Sequence, residues 1–154
     1  MKISGGCHTL RPMNTRTPFV VAAMSLIAAL SLACGGLEEQ INELAAQGEL
    51  VMAEGESSGM SSDQDGCLTT ALDKSAACGG GLMEKGTCQG MAQVYLQGCL
   101  NTSAASPGFC DGAPTVDQIM DTVNWGVAQC EAAGRSSDQS CGNVQQTRAE
   151  FCNR

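Results

Sequence analysis

Eight cysteines lie in a regular pattern, most of them in the second half of the chain, and they are the residues best suited to chemistry. Cysteine sulfur can bind zinc or an iron–sulfur cluster, exchange disulfides in redox catalysis, or form structural disulfides. None of the eight forms the C-x-x-C pair that is typical of metal and redox centres, and the sole histidine, His8, lies far from them. The pattern therefore favours structural disulfides and predicts no metal and no cofactor. The cysteines are Cys67, Cys78, Cys88, Cys99, Cys110, Cys130, Cys141 and Cys152.

The intervals between these cysteines indicate which elements hold them. Five of the seven intervals contain ten residues, so that each such pair is eleven positions apart. Eleven positions are close to three turns of an α-helix, and the two side chains then lie on one face. Two antiparallel helices that carry such pairs can be joined at both ends. The sequence predicts a hairpin that reverses at the glycines 79–81, with the disulfides Cys67–Cys99 and Cys78–Cys88.

A second helical hairpin is predicted downstream. Pro114 and Thr115 are expected to open its first helix, with Gln118 placed for a capping box, and Gly134 to end it. The segment 136–139 is expected to start its second helix. The first of these two helices carries a continuous apolar stripe, which consists of Val116, Ile119 or Met120, Val123, Val127 and Cys130.

The disulfides of the second hairpin follow from its predicted turn. Cys130 and Cys141 flank that turn, and we pair them for this reason. We pair Cys110 with Cys152, which requires the segment 111–114 to turn back toward the last helix. The predicted connectivity is thus two nested hairpins. Each of the bonds restricts the unfolded chain, and a domain this poor in aromatic residues needs that contribution to its stability.

The cysteine spacing resembles the coiled-coil-helix–coiled-coil-helix arrangement with twin paired cysteines, with one more residue between the cysteines. The resemblance concerns spacing alone; it implies a geometry and no function. Eight cysteines and four helices also resemble plant lipid-transfer proteins, but the adjacent C-C and C-x-C pairs of those proteins are missing. The predicted fold is all-α: a small disulfide-rich helical domain over 67–154, with about four short helices as two stapled hairpins.

An apolar segment near the N-terminus indicates export. Residues 19–33 carry no charge, follow Arg11 and Arg16, and stop at Cys34. The run is shorter than the roughly 20 residues that span a bilayer, and its flanks are typical of a secretory signal peptide. The segment 30–34, LSLAC, resembles the lipobox of bacterial lipoproteins. The resemblance implies cleavage before Cys34, lipidation of the Cys34 sulfur and acylation of the new amino terminus.

These patterns divide the chain into three parts. Residues 1–33 are the predicted lipoprotein signal peptide, with Met13 as an alternative start. Residues 34–66 are a predicted lipid-anchored acidic helix and linker, in which the helix covers 37–54 and the polar linker 55–66. Gly35 follows the anchor where an Asp is associated with inner-membrane retention in enteric bacteria, which favours the outer membrane over the inner one.

The charge of the predicted mature chain limits its partners. Residues 34–154 contain five Lys and Arg residues and sixteen Asp and Glu residues, a formal net charge of −11. Such a chain repels phosphate backbones, so we expect no nucleic-acid partner. The expected partners are the membrane, through the lipid anchor, and another protein of the cell envelope.

No residue of the chain is predicted to be catalytic. The mature chain has no histidine to act as the base of a serine nucleophile, and carboxylates such as Asp117 and Asp121 are expected to be solvated. The segment 61–66, SSDQDG, resembles the start of a calcium loop but begins with Ser61 and has Leu72 where a glutamate should bind, so helix capping is favoured. No metal site is predicted.

Three functions are compatible with these features. The favoured one is an envelope-anchored lipoprotein with a non-catalytic binding or structural module. The alternative is a carrier of a small apolar ligand held between the helices, and the third is an enzyme of unrecognised type. A carrier should contain an internal apolar cavity, whereas a binding module should expose an apolar patch or groove.

Overall fold

The structure is a computed structural model that describes residues 19–115 and 117–154, with side chains described from residue 38. Within these ranges it contains five helices and no strand beyond an isolated bridge between Asp63 and Ala104. The helices are α1 (Phe19–Gly59), α2 (Gln64–Ala76), α3 (Leu82–Thr102), α4 (Ile119–Ala132) and α5 (Cys141–Cys152). The predicted class, a small all-α disulfide-rich domain, is confirmed. Glu43–Arg154 forms one compact unit, which contains α2 to α5.

The first hairpin consists of α2 and α3. Asp63 is the N-cap of α2, and its Oδ1 accepts a hydrogen bond from the backbone N–H of Gly66 at 2.8 Å. This bond satisfies one of the N–H groups that the first helical turn leaves free. After α2 the chain reverses at Gly80, whose φ of +91° lies in the left-handed region that glycine enters without steric cost. The backbone N–H of Gly81 then donates to the Glu84 carboxylate at 3.1 Å as α3 begins.

The hydrophobic core lies where α3 meets α2 and α5. Leu96 and Cys99 of α3 and Val144 of α5 are completely buried there. Each large apolar side chain that is fully buried stabilises the fold by about 1.5–3 kcal/mol. α3 and α2 both pack against α5, and these contacts join the two predicted hairpins into one domain.

The end of α1 differs from its prediction. The segment 55–59 was expected to belong to a polar linker, but it is helical and packs against α3. A Cβ at Gly59 would lie 2.3 Å from the carbonyl oxygen of Cys99, which shows how closely the two backbones approach. The Thr102 hydroxyl of α3 also donates to the backbone oxygen of Glu56 at 2.7 Å. Glycine, which weakens an isolated helix, here permits the close contact that keeps the helix ordered.

Gly55→Ala is expected to lower the free energy of unfolding by about 1–3 kcal/mol, the usual cost of overpacking. The added Cβ would lie 2.3 Å from the carbonyl oxygen of Tyr95. Gly48→Ala on the same helix is the matched control, because its Cβ would meet nothing within 4 Å. That change should raise the stability by about 0.5–1 kcal/mol through helix propensity. Urea unfolding followed by circular dichroism compares the two variants, and equal effects would contradict the packing of α1 on α3.

Both helices of the second hairpin, α4 and α5, begin at a later residue than predicted. α4 begins after Gln118, because the Thr115 hydroxyl donates to the Gln118 side chain at 3.1 Å and Thr115 does not cap the helix. α5 begins after Ser140, and the segment 136–139 belongs to the connection between the helices. There Asp138 Oδ1 accepts a hydrogen bond from the Ser140 backbone N–H at 3.0 Å. Short polar side chains can hydrogen-bond locally in turns as readily as they cap helices.

Arg148 of α5 holds the loop between α3 and α4. Its Nε donates to the carbonyl oxygen of Phe109 at 2.8 Å. The guanidinium lies 4.6 Å from the centre of the Phe109 ring and 5.0 Å from that of Trp125, so two aromatic faces contact the cation. Burial lowers the pKa of Arg148, and the negative charge of Asp65 partly opposes this effect. These contacts fix the loop next to Cys110 against α5.

Candidate functional site

The eight cysteines form four disulfides, and the pairs are those of the predicted connectivity. The sulfur–sulfur distances lie between 1.97 and 2.06 Å. Each of the eight sulfur atoms is bonded to one other sulfur atom. The cysteines therefore stabilise the fold and provide no thiolate for metal binding or redox chemistry. The pairs are Cys67–Cys99, Cys78–Cys88, Cys110–Cys152 and Cys130–Cys141.

The predicted lipidation site, Cys34, lies in the part of α1 whose side chains are outside the described residues. Lipidation therefore stays a prediction from the sequence. For the residues whose side chains are described, no helix combines the length and the apolar character that crossing a membrane requires.

The segment 61–66, which resembles the start of a calcium loop in sequence, contains the start of α2. Its central carboxylate, Asp63, is engaged as the N-cap of α2. Elsewhere among the described residues, no three His, Cys, Asp or Glu side chains come together in a way that could hold a metal ion.

The predicted apolar stripe of α4 lies largely in solvent. The exposed fractions are 73 % for Ile119, 68 % for Met120, 53 % for Val123 and 52 % for Val127. At 3.6 residues per turn, Val123, Val127 and Met120 lie beside the face that α4 buries. That buried face contains Gly126 and Cys130, and Ile119 is in line with it at the start of the helix. Val116 lies outside the described residues. Of the helices α2 to α5, only α5 packs against α4, so this apolar face has no helix over it among them.

The exposed face forms one side of an open groove between α4 and α5, which we call the α4–α5 groove. It consists of three adjoining hollows of about 110, 190 and 170 Å³. Val123 lines the first and second hollows, and Val127 lines the second and third, so the three are continuous. On the α5 side the groove is lined by Gln146 and Gly142. The groove follows α4 from Ile119 to Glu131.

Two glycines set the depth of the α4–α5 groove. A Cβ at Gly126 would lie only 3.6 Å from the Cβ of Gln145, so α4 and α5 approach closely at this point. Gly142 stands on the opposite wall, and a Cβ there would meet nothing within 4 Å. In the middle of the groove, Gly142 therefore leaves an open position on the α5 wall beside Asn143 and Gln146. The disulfide Cys130–Cys141 closes the hairpin at one end.

The charged residues that line the α4–α5 groove are all acidic. Glu150 lies at the Ile119 end, and Glu131 and Asp138 lie at the other end. Among the residues whose side chains are described, no lysine or arginine lines any of the three hollows. Other acidic side chains do have cationic neighbours in the domain: Lys74 pairs with Glu54, and Arg135 with Asp73.

Comparisons of the chain with protein-family models, with curated proteins and with solved structures found no match. The α4–α5 groove was not predicted as a site. The signal that could have indicated it is the apolar stripe at positions 119, 123 and 127. The sequence contains this stripe but does not indicate whether another element covers it.

Proposed function

We propose that this chain is an exported lipoprotein, anchored in the outer membrane through Cys34, and that its helical domain is a non-catalytic binding module. The module binds another envelope protein in the α4–α5 groove. The observation that carries this proposal is the exposed apolar face of α4. The lipobox supports the anchor, and the four disulfides suit a domain that works in an oxidising compartment.

The exposed face is more than scattered surface hydrophobicity. Single exposed apolar residues are normal on soluble domains and need no explanation. Here Ile119, Val123 and Val127 repeat at intervals of four on one helix and border a continuous groove. Full burial of a side chain of this size contributes about 1.5–3 kcal/mol, so covering the row would favour binding substantially.

A ligand carrier receives less support from the described hollows. Pockets for small ligands are typically enclosed and measure about 300–1,000 Å³. Each of the three hollows alone is smaller than this, and the groove that they form together is open to solvent and not enclosed. A further hollow of about 400 Å³ beside α1 and α3 is also an open surface, and two of the residues that line it, Glu49 and Glu56, are acidic. An open apolar groove is the geometry expected of a binding module.

Photo-cross-linking in intact cells tests the binding function. A photoreactive residue at position 123 should give a cross-linked product with another envelope protein, and the added change Val127→Gln should reduce the product about tenfold. The matched control places the same residue at position 82, because Leu82 is 89 % exposed on α3, away from the groove. No product from position 123, or the same product at equal yield from both positions, would contradict the proposal.

A further inference from the structure

We infer that the occupant of the α4–α5 groove is an amphipathic helix of the partner protein, with an apolar face and basic residues at both of its ends. This inference rests on the proposed function and specifies the chemistry of the partner. Three observations carry it: the length and shape of the apolar groove, the acidic residues at its two ends, and the net charge of this chain.

The groove has the dimensions of a docking site for a short helix. From Ile119 to Glu131 it follows twelve residue steps of α4, or about 18 Å at 1.5 Å per residue. An amphipathic helix places side chains at i, i+4 and i+7 in such grooves between helices. About three turns of a partner helix would cover Val123, Val127 and the open position beside Gly142. The partner helix would then complete a three-helix arrangement with α4 and α5.

The two ends of the groove select the charge of that helix. Glu150 stands at one end, and Glu131 and Asp138 stand at the other, so a helix in the groove has carboxylates near both of its termini. A lysine or arginine at each end of the partner helix would lie near these charges and be attracted to them.

A second copy of this chain fits the groove less well. Both ends of the groove are acidic, so a symmetric pair of grooves would bring acidic ends together whichever way the copies were aligned. The predicted mature chain also carries a formal net charge of −11, which opposes self-association. The same charge opposes contact with anionic lipid headgroups. Charge complementarity therefore favours a basic protein segment over a second copy or a lipid surface.

The test measures the binding of two synthetic peptides to the full chain in phosphatidylcholine nanodiscs by fluorescence anisotropy. Each peptide has about 16 residues, or about 24 Å of helix, with leucines at i, i+4, i+7 and i+11. One peptide has lysines at both ends and the other has glutamates. The lysine peptide should bind at least about tenfold more tightly at about 0.05 M salt, and the difference should shrink at about 0.5 M salt because the charges are exposed.

Variants of the protein locate the binding. The pair Val123→Gln and Val127→Gln, which removes the apolar row without changing charge, should weaken binding of the lysine peptide about tenfold. The matched pair Leu82→Gln and Met83→Gln alters two apolar residues of α3 that are 89 % and 82 % exposed, and it should leave binding unchanged.

A charge-reversal variant tests the acidic ends directly. Glu131→Lys together with Glu150→Lys should make the glutamate peptide the tighter ligand, since both side chains lie at the groove and face solvent at least in part. Circular dichroism of each variant checks that the helices are retained.

The possible results separate this inference from the proposed function. If the two peptides bind with equal affinity, and the Val123 and Val127 variant loses this binding, the inference of a basic partner is wrong, although the groove still binds a helix. Binding of neither peptide would overturn the helical occupant, while cross-linking from position 123 would still decide the proposed function. If the chain forms a dimer that the Val123 and Val127 variant does not form, a second copy occupies the groove and the inference is wrong.

Discussion

Replacing Cys67 and Cys99 together by alanine is expected to lower the free energy of unfolding by about 4 kcal/mol. The bond joins residues 32 positions apart, and in the chain-entropy model a loop of this size restricts the unfolded state by that amount. Both sulfur atoms also lie in the core, so the substitution removes buried contacts. Small domains are stable by only about 5–15 kcal/mol, so reduction of all four disulfides should unfold this one.

Cys78→Ala with Cys88→Ala is the matched control for this effect. Its bond joins residues only 10 positions apart, and Cys88 is exposed, so the expected loss is smaller, about 3 kcal/mol. Urea unfolding followed by circular dichroism measures both variants, and the slope of the transition shows whether the unfolded state has changed. A reduced domain that kept a cooperative transition at the same urea concentration would contradict the structural role of the disulfides.

The hairpins could be predicted because a single periodicity determines both the helices and the cysteine positions. Two cysteines eleven positions apart cannot bond to each other on one helix, but they can bond to a similar pair on a neighbour. The turn at Gly79–Gly81 then brings Cys78 next to Cys88. The same alignment of α2 against α3 brings Cys67 next to Cys99 at the other end of the hairpin. Local spacing was sufficient here because the partner elements are adjacent in the sequence.

The packing of α1 could not be predicted, because it depends on residues far apart in the chain. Gly55 and Gly59 weaken a helix when they are considered alone, and the polar residues around them are typical of a linker. In the structure, Gly98 of α3 faces the same seam, and a Cβ there would lie 2.3 Å from the carbonyl oxygen of Met52. Glycine favours the close approach of two helices only when both sides have small residues, and the sequence does not show which residues face each other.

The α4–α5 groove is a second feature that the sequence alone could not predict. An apolar stripe predicts that a helix face is covered, but it does not identify what covers it. α4 meets α5 through the face of Gly126 and Cys130, since the disulfide to Cys141 fixes the rotation of the helix. Val123 and Val127 are thereby turned toward solvent. The helix itself could be predicted from its periodicity, whereas the exposed face required the three-dimensional arrangement.

Cys34→Ala is expected to abolish membrane anchoring. The sulfur atom of Cys34 is the predicted attachment point of the lipid, so the variant should take up no labelled fatty acid and should accumulate as the uncleaved precursor. Stable anchoring requires two or more acyl chains, since a single chain binds a membrane only marginally and each buried methylene contributes about 0.8 kcal/mol. Cys7→Ala is the matched control, because Cys7 precedes the predicted cleavage site and does not belong to the predicted mature chain.

Labelling of cells with radioactive palmitate, followed by immunoprecipitation and detergent phase partitioning, tests the anchor most directly. Wild type and the Cys7→Ala variant should be labelled, run at the size of residues 34–154 and enter the detergent phase. The Cys34→Ala variant should be unlabelled and run as the larger precursor. A Cys34→Ala variant that is labelled, or that is cleaved and retained like wild type, would show that this chain is not a lipoprotein anchored at Cys34.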